Sequence, residues 1–300
     1  MDLPGIVVEM EPAKRREGLL VGAVAGAALA AATAAAADPE AVRATLRGGE
    51  VSPVAPPPGR RLPATALGDA LLLELTSGGV DLHRLAGRWV EWLQRDGWNV
   101  DPVLQQALGH LAEFDAPADA LTGGNAAALA AALPAALASA SPRTMVSGTF
   151  HVARMLDPDP MTGLCAVALV LAAATILEGR RDLIPDVVAA LRANDAPATL
   201  LDAVRFIPRD PRDVPAVPVG PSPDPATVTV WLLWQLHHRA RGSTALRELA
   251  LHGAISPTVG SLAGALFAAR DGMTDWPASW LAGSGDDVTL RQALARRLGT

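Results

Sequence analysis

The sequence predicts an all-α protein, and three observations carry that expectation. Half of the 300 residues are hydrophobic, with Ala and Leu in large excess, few aromatics and no Tyr. Ala and Leu lead the helix scale, whereas strands draw on β-branched and aromatic residues. Apolar residues recur at helical spacing in one segment after another, and no segment sustains a period-two alternation. Cap-and-proline pairs such as Asp38-Pro39 and Asp101-Pro102 stand where helical stretches begin. No repeat of fixed period is present, which sets solenoids and propellers aside. A single all-α domain over residues 1–300 is the expected organisation.

Along the chain, residues 1–12 carry no pattern and are expected to form a loose arm. Residues 17–33 form the first helix. The apolar run 19–37 follows Lys14, Arg15 and Arg16 and ends in Ala35-Ala36-Ala37, the outline of a secretory signal and nearly the length of a membrane span. Its Ala content, with Gly22 and Gly26, gives it little transfer free energy, so a buried core helix is preferred. That favours a cytoplasmic protein over an exported one. Asp38 is expected to cap a short helix ending near Arg47. Residues 48–63 hold Pro53, Pro56, Pro57 and Pro58, which exclude helix and central strand and leave a surface loop or flap.

Helices follow at 65–75, after the Asp81 cap, and after Asp101-Pro102. An Ala-rich stretch covers 125–140. Residues 161–178 are hydrophobic nearly all round, the mark of a central helix, and Gly179 is expected to end it. Short helices are expected at 184–194 and 198–205. Residues 207–225 contain seven prolines and form a long surface excursion rather than a domain linker. Helices at 227–240, 243–251, 258–269 and 288–298 complete the set, with Asp286-Asp287 expected to cap the last.

A net charge of −6 without a basic stripe argues against nucleic acid. Cys165 stands alone in an apolar run, so no intramolecular disulfide forms, and a small buried core residue is favoured over a nucleophile. His237 and His238 are adjacent and point about 100° apart on a helix, so they do not share a metal. No P-loop, G-x-S-x-G, H-E-x-x-H or C-x-x-C pattern occurs. Trp231 and Trp234 fall on one helical face, as core filling or as the wall of a pocket.

The stretch GAISPTVGSLAGAL, residues 253–266, organises the rest. Gly260, Ala263 and Gly264 fall at i, i+3 and i+4, so one helix face carries almost no side chain and a neighbouring backbone can approach. This segment resembles the C-terminal motif of the ADP-ribosylglycohydrolase family, G-G-D-T-D-T-x-G, at Gly253, Thr258 and Gly260. Gly26 to Ala30 stand where that family keeps G-D-A-L-G, and Leu62 to Thr65 where it keeps T-D-D-T. Gly124-Asn125 stand for its G-N-G-A stretch. Asp157 replaces the His of L-T-H-x-D-P, while Asp159-Pro160 keep its end. Pro277 to Leu281 resemble P-A-x-W-L.

The resemblance covers nearly the whole chain and implies an ADP-ribosylglycohydrolase-like orthogonal helical bundle. It also implies a binuclear Mg²⁺ site built from four aspartates, and at those four positions this chain has Pro63, Ala64, Ile255 and Pro257. Hard cations take oxygen ligands, so no metal cofactor is expected. Without metal the activated water and the Lewis acid disappear.

The residues left to line the cleft are Thr65, Asp69, Asn125, His151, Asp157, His252, Ser256 and Thr258. Two functional readings follow. One is a pseudoenzyme that binds an unidentified small molecule or protein partner, without nucleic acid or membrane, as a monomer or weak dimer. The other is a metal-independent hydrolase, isomerase or cyclase in which Asp157, His151, Asn125, Asp69 and His252 converge.

Overall fold

The fold is assembled around a pair of antiparallel helices from opposite ends of the chain. In the computed structural model, described over residues 10–34, 40, 42, 61–138, 141–239, 241–253, 255–280 and 285–298, α1 (Pro12–Ala34) lies along α12 (Pro257–Asp271). Gly18, Gly22 and Gly26 recur every four residues and so share one face of α1. They meet Ala268, Gly264 and Gly260 in turn. A methyl group on Gly26 would overlap the Gly260 carbonyl, one on Gly22 the Gly264 carbonyl, and one on Gly18 the Ala268 carbonyl. The side-chain-poor face expected at Gly260 and Gly264 is therefore a backbone contact surface, and its partner is the first helix.

That packing decides how α1 is to be read. It starts at Pro12, one turn before the expected Glu17, and its apolar span is 83% buried inside the fold. Length and composition alone would let it cross a membrane, as they would α7; in this fold both sit in the core.

The remaining helices are laid around this pair. They are α2 (Pro63–Thr76), α3 (Leu82–Arg95), α4 (Pro102–Phe114) and the short α5 (Ala127–Ala132), which tightens into a 3₁₀ turn, Leu133–Leu137. Then come α6 (Pro142–Leu156), α7 (Pro160–Leu177), α8 (Ile184–Ala193) and α9 (Ala198–Phe206). After the Pro-rich excursion follow α10 (Pro225–His238), α11 (Gly242–Leu251), α12 and α13 (Gly285–Arg297). No strand occurs among the described residues, only isolated bridges at Arg61–Gly97 and Gly220–Ile255.

Capping chemistry sets most of the starts. Asp81, Asp101, Ser141, Asp159, Asp224 and Ser256 each accept a backbone N–H of the first turn through the side chain. α7 ends as its sequence requires. Gly179, at φ +81°, donates to the Ile176 carbonyl and Arg180 to the Thr175 carbonyl, a Schellman pair.

One contiguous cluster of buried apolar side chains runs from Leu19 to Ala295, with α7 passing through it between α6, α8 and α10. Trp231 and Trp234 are buried in it, as core filling.

Several sequence expectations need amendment. α6 has no counterpart among them, although Ser141-Pro142 is the same start signal as Asp101-Pro102. The Ala-rich stretch at 125–140 is helical for only six residues before the 3₁₀ turn. The last helix begins at Gly285 rather than Val288. The short helix expected after Asp38, most of the loop at 48–63, the arm at 1–9 and the side chains of Asp286 and Asp287 lie outside what is described.

Residues 207–225 do form a surface excursion, and it runs back to the cleft. Gly220, at φ +95°, bridges Ile255, and Ser222 Oγ donates to Asp101 Oδ1 at 2.8 Å. Pro225 closes against Gly124, where a Cβ would lie 2.6 Å from the proline ring.

Candidate functional site

Two helix N-termini, those of α2 and α12, carry the positions singled out by the sequence. They flank the same part of α1. Leu62 packs on Ala27 and Ala31, while Ile255 borders a void of about 10 Å³ with Gly26, Ala30 and Gly260. Such a void holds one water at most. Pro63, Ala64, Thr65, Ile255, Ser256 and Thr258 are all buried.

Both prolines occupy the first helical turn, where their missing N–H costs nothing. Two of the hydroxyls are engaged locally. Thr65 Oγ1 donates to the Leu62 carbonyl at 2.9 Å, and Ser256 Oγ accepts the Val259 N–H at 3.3 Å. What remains at these N-termini is apolar, and no carboxylate stands at any of the four positions.

One turn further along α2, Asp69 has a partner from the far end of the chain. Arg291 of α13 reaches it with Nη2 2.8 Å from Oδ1, both side chains being at most 4% exposed. The same guanidinium donates to the carbonyls of Thr65 at 2.7 Å and Leu20 at 2.8 Å. Arg61 adds a longer contact to Oδ2 at 3.4 Å. Arg291 therefore ties α13 to both α1 and α2, and it places a fixed positive charge directly behind the α2 N-terminus. A buried ion pair of this kind is stable when the remaining donors also find acceptors, as two of them do here.

Asn125 and Asp157 do come together. Asp157 Oδ2 accepts the Asn125 backbone N–H at 3.1 Å and the Thr162 hydroxyl at 2.8 Å, while Oδ1 accepts the Asp159 N–H at 3.0 Å. Asn125 Nδ2 donates to the Leu156 carbonyl at 2.9 Å, and its Oδ1 accepts the Ala127 N–H at 3.2 Å. Apart from the Thr162 hydroxyl, every bond of this knot has a backbone group as its other partner. It fastens the 115–126 loop to the α6–α7 junction, a buried network of the satisfied kind.

The other candidates are placed elsewhere. His151 is an exposed residue of α6 whose Nδ1 lies 2.7 Å from the Ser147 carbonyl, and His252 is exposed after α11. Neither is buried. A metal-independent centre made of Asp157, His151, Asn125, Asp69 and His252 is thus not assembled as a unit. Among the described residues, no three His, Cys, Asp or Glu gather as a metal-binding group. Burial pushes the Cys165 thiol up to about 12, which leaves no thiolate at neutral pH. Desolvation, aided by neighbouring His238, lowers the His237 pKa and favours the neutral ring.

The largest opening among the described pockets is away from this region. It is a trench of about 1380 Å³ over α7, walled by α6 and α8. Sequence reasoning missed its α6 wall together with that helix. It missed Arg61 and Arg291 because nothing local marks them as partners of Asp69.

An all-α bundle with two small-residue helices, α1 and α12, packed backbone to backbone, and the N-termini of α2 and α12 beside that contact, defines the class of protein. The chain belongs to the ADP-ribosylglycohydrolase family, whose sequence model matches residues 9–300. A solved structure titled "ADP-ribosylglycohydrolase-related protein complex" is similar to it, with a TM-score of 0.69 over 96% of this chain and 99% of that one. At 22% identity, that likeness concerns the fold. No curated protein matches the chain.

Proposed function

We propose that this protein is a cytoplasmic member of the family without its metal-dependent hydrolase chemistry, and that it works by binding a ligand or a protein partner. The observation that carries the reading is the pair of helix N-termini. Two Mg²⁺ ions need several anionic oxygens, and Pro63, Ala64, Ile255 and Pro257 offer none. Thr65 and Ser256 engage their hydroxyls in local bonds, and the nearby Asp69 carboxylate is held by Arg291. The residues present do not fit the metal pair, and no hydrolytic step is assigned through it.

What the region retains suits a less charged ligand. Helix N-termini still present partial positive charge and free N–H groups, now in an apolar frame. The metal-independent reading gains nothing from Asn125 and Asp157, whose hydrogen bonds are spent on backbone groups and the Thr162 hydroxyl.

A thermal-shift titration of the full chain with ADP-ribose, MgCl₂ and both together tests the proposal. A ligand specific for the native state raises Tm by mass action. A shift with ADP-ribose that Mg²⁺ does not enlarge supports a binding protein. A shift that appears only when both are present overturns the reading and restores the hydrolase.

A further inference from the structure

We propose that the trench over α7 is a docking site for a basic amphipathic helix of a partner protein. A helix that is hydrophobic all round belongs in the core, and α7 is such a helix. Yet Met161, Leu171 and Ala174, on one side of it, are only partly covered, and they form the floor of the trench together with buried Leu164. The trench borders α7 from Asp159 to Glu178. At roughly 1.5 Å per residue this is about 28 Å, the length of a helix and far beyond a small molecule.

The walls fit the same occupant. On α8, Ala189, Ala190 and Ala193 face the trench, all at least partly exposed and with no side-chain bulk to fill it. On α6, Met145 and Phe150 supply an adaptable and an aromatic contact. Apolar residues at helical spacing over such a floor is the helix-in-groove mode of recognition.

The rim fixes the charge of the occupant. Asp159, Glu178, Asp186, Asp195 and Asp224 border the trench against only Arg143 and Arg180. Arg180 is already paired with Asp186 at 2.7 Å. Asp159 and Asp224 each cap a helix through one carboxylate oxygen. The surplus is negative, so Lys and Arg flanking an apolar stripe are complementary, while anionic lipid and nucleic acid are repelled. This proposal does not rest on the loss of hydrolysis; the trench lies apart from the two helix N-termini.

The test uses the full chain and two fluorescein-labelled synthetic helices of about 18 residues. They share one leucine stripe and carry Lys or Glu on the other face. Fluorescence anisotropy is expected to show the Lys peptide binding at least about tenfold tighter than the Glu peptide. Ala193→Trp, which fills the trench, is expected to weaken the Lys peptide about tenfold, while Ala112→Trp on the exposed face of α4 leaves it unchanged. Asp195→Asn preserves the left-handed turn at that residue (φ +51°) and is expected to weaken it a few-fold at low salt.

Equal binding of the two peptides, no binding of the Lys peptide, or indifference to Ala193→Trp overturns the proposal. So does a concentration-dependent dimer abolished by Ala193→Trp, which would assign the trench to a second copy of this chain.

Discussion

At the scale of single residues, charge pairs buried between helices organise the α2 region. The Glu74 carboxylate, fully covered, accepts Arg84 Nε at 2.7 and 2.9 Å and Arg88 Nε at 2.8 Å. The Arg84 hydrogen bond, with help from Arg88 and against desolvation, lowers its pKa from 4.5 to about 2. A carboxyl depressed by folding contributes stability that is present above its unfolded pKa and is lost as pH falls through the folded one. Acid unfolding is therefore expected to draw on Glu74 between about pH 4.5 and 2. Glu74→Gln is expected to flatten that part of a stability–pH profile measured by urea denaturation. Asp69 behaves differently, because its main partner sits on the last helix. Arg291→Met removes the 2.8 Å guanidinium partner of a buried carboxylate and is expected to cost about 3 kcal/mol. Adding Asp69→Leu in the same chain is expected to recover part of that loss in a urea midpoint. No gain in the double variant would mean that the pair is not coupled.

At the scale of elements, the α1–α12 pair depends on the absence of side chains. Gly264→Ala is expected to destabilise by about 3 kcal/mol or more, because the new methyl meets the Gly22 carbonyl and two backbones must separate. Gly87 on α3 is the contrast. It is exposed, and a Cβ there meets nothing. Gly87→Ala is expected to stabilise by about 0.5–1 kcal/mol through helix propensity alone. Thermal melts of both variants check the pair, and similar signs would contradict the close-packing account.

The glycine face was legible in the sequence because its spacing is a local pattern, and the Asp-Pro starts are local too. α6 was not legible. Arg143, Thr144, Ser147, Gly148 and His151 interrupt its apolar stripe, and tertiary packing of Thr149, Val152, Ala153 and Leu156 supplies what propensity lacks. The Asp69–Arg291 pair joins residues at opposite ends of the chain, and nothing near either one announces the other. Asn125 and Asp157 were singled out separately, each by its place in a family motif. That they serve as a structural fastening appeared only once their hydrogen bonds were traced.

At the scale of the whole molecule, the chain keeps the family fold, and the N-termini of α2 and α12 within it carry Pro63, Ala64, Ile255 and Pro257. The packing of α1 on α12 places the N-termini of α2 and α12 against Gly26–Ala31, and the Pro-rich excursion reaches Ile255 of the same region through Gly220. Proline in the first turn starts both helices, and the Ser256 cap adds to the start of α12. The trench over α7 arises from the relative placement of α6 and α8 and has no signature in any one segment.

The central claim is that the two helix N-termini do not hold a metal pair, and the most direct test is Mn²⁺ binding, read by the loss of free-ion EPR signal as the full chain is titrated. The account expects the free-ion signal to follow added Mn²⁺ as it does in buffer, with and without ADP-ribose. Uptake of about two ions per chain at micromolar concentration, reduced by Ser256→Ala or Thr65→Val, would contradict it.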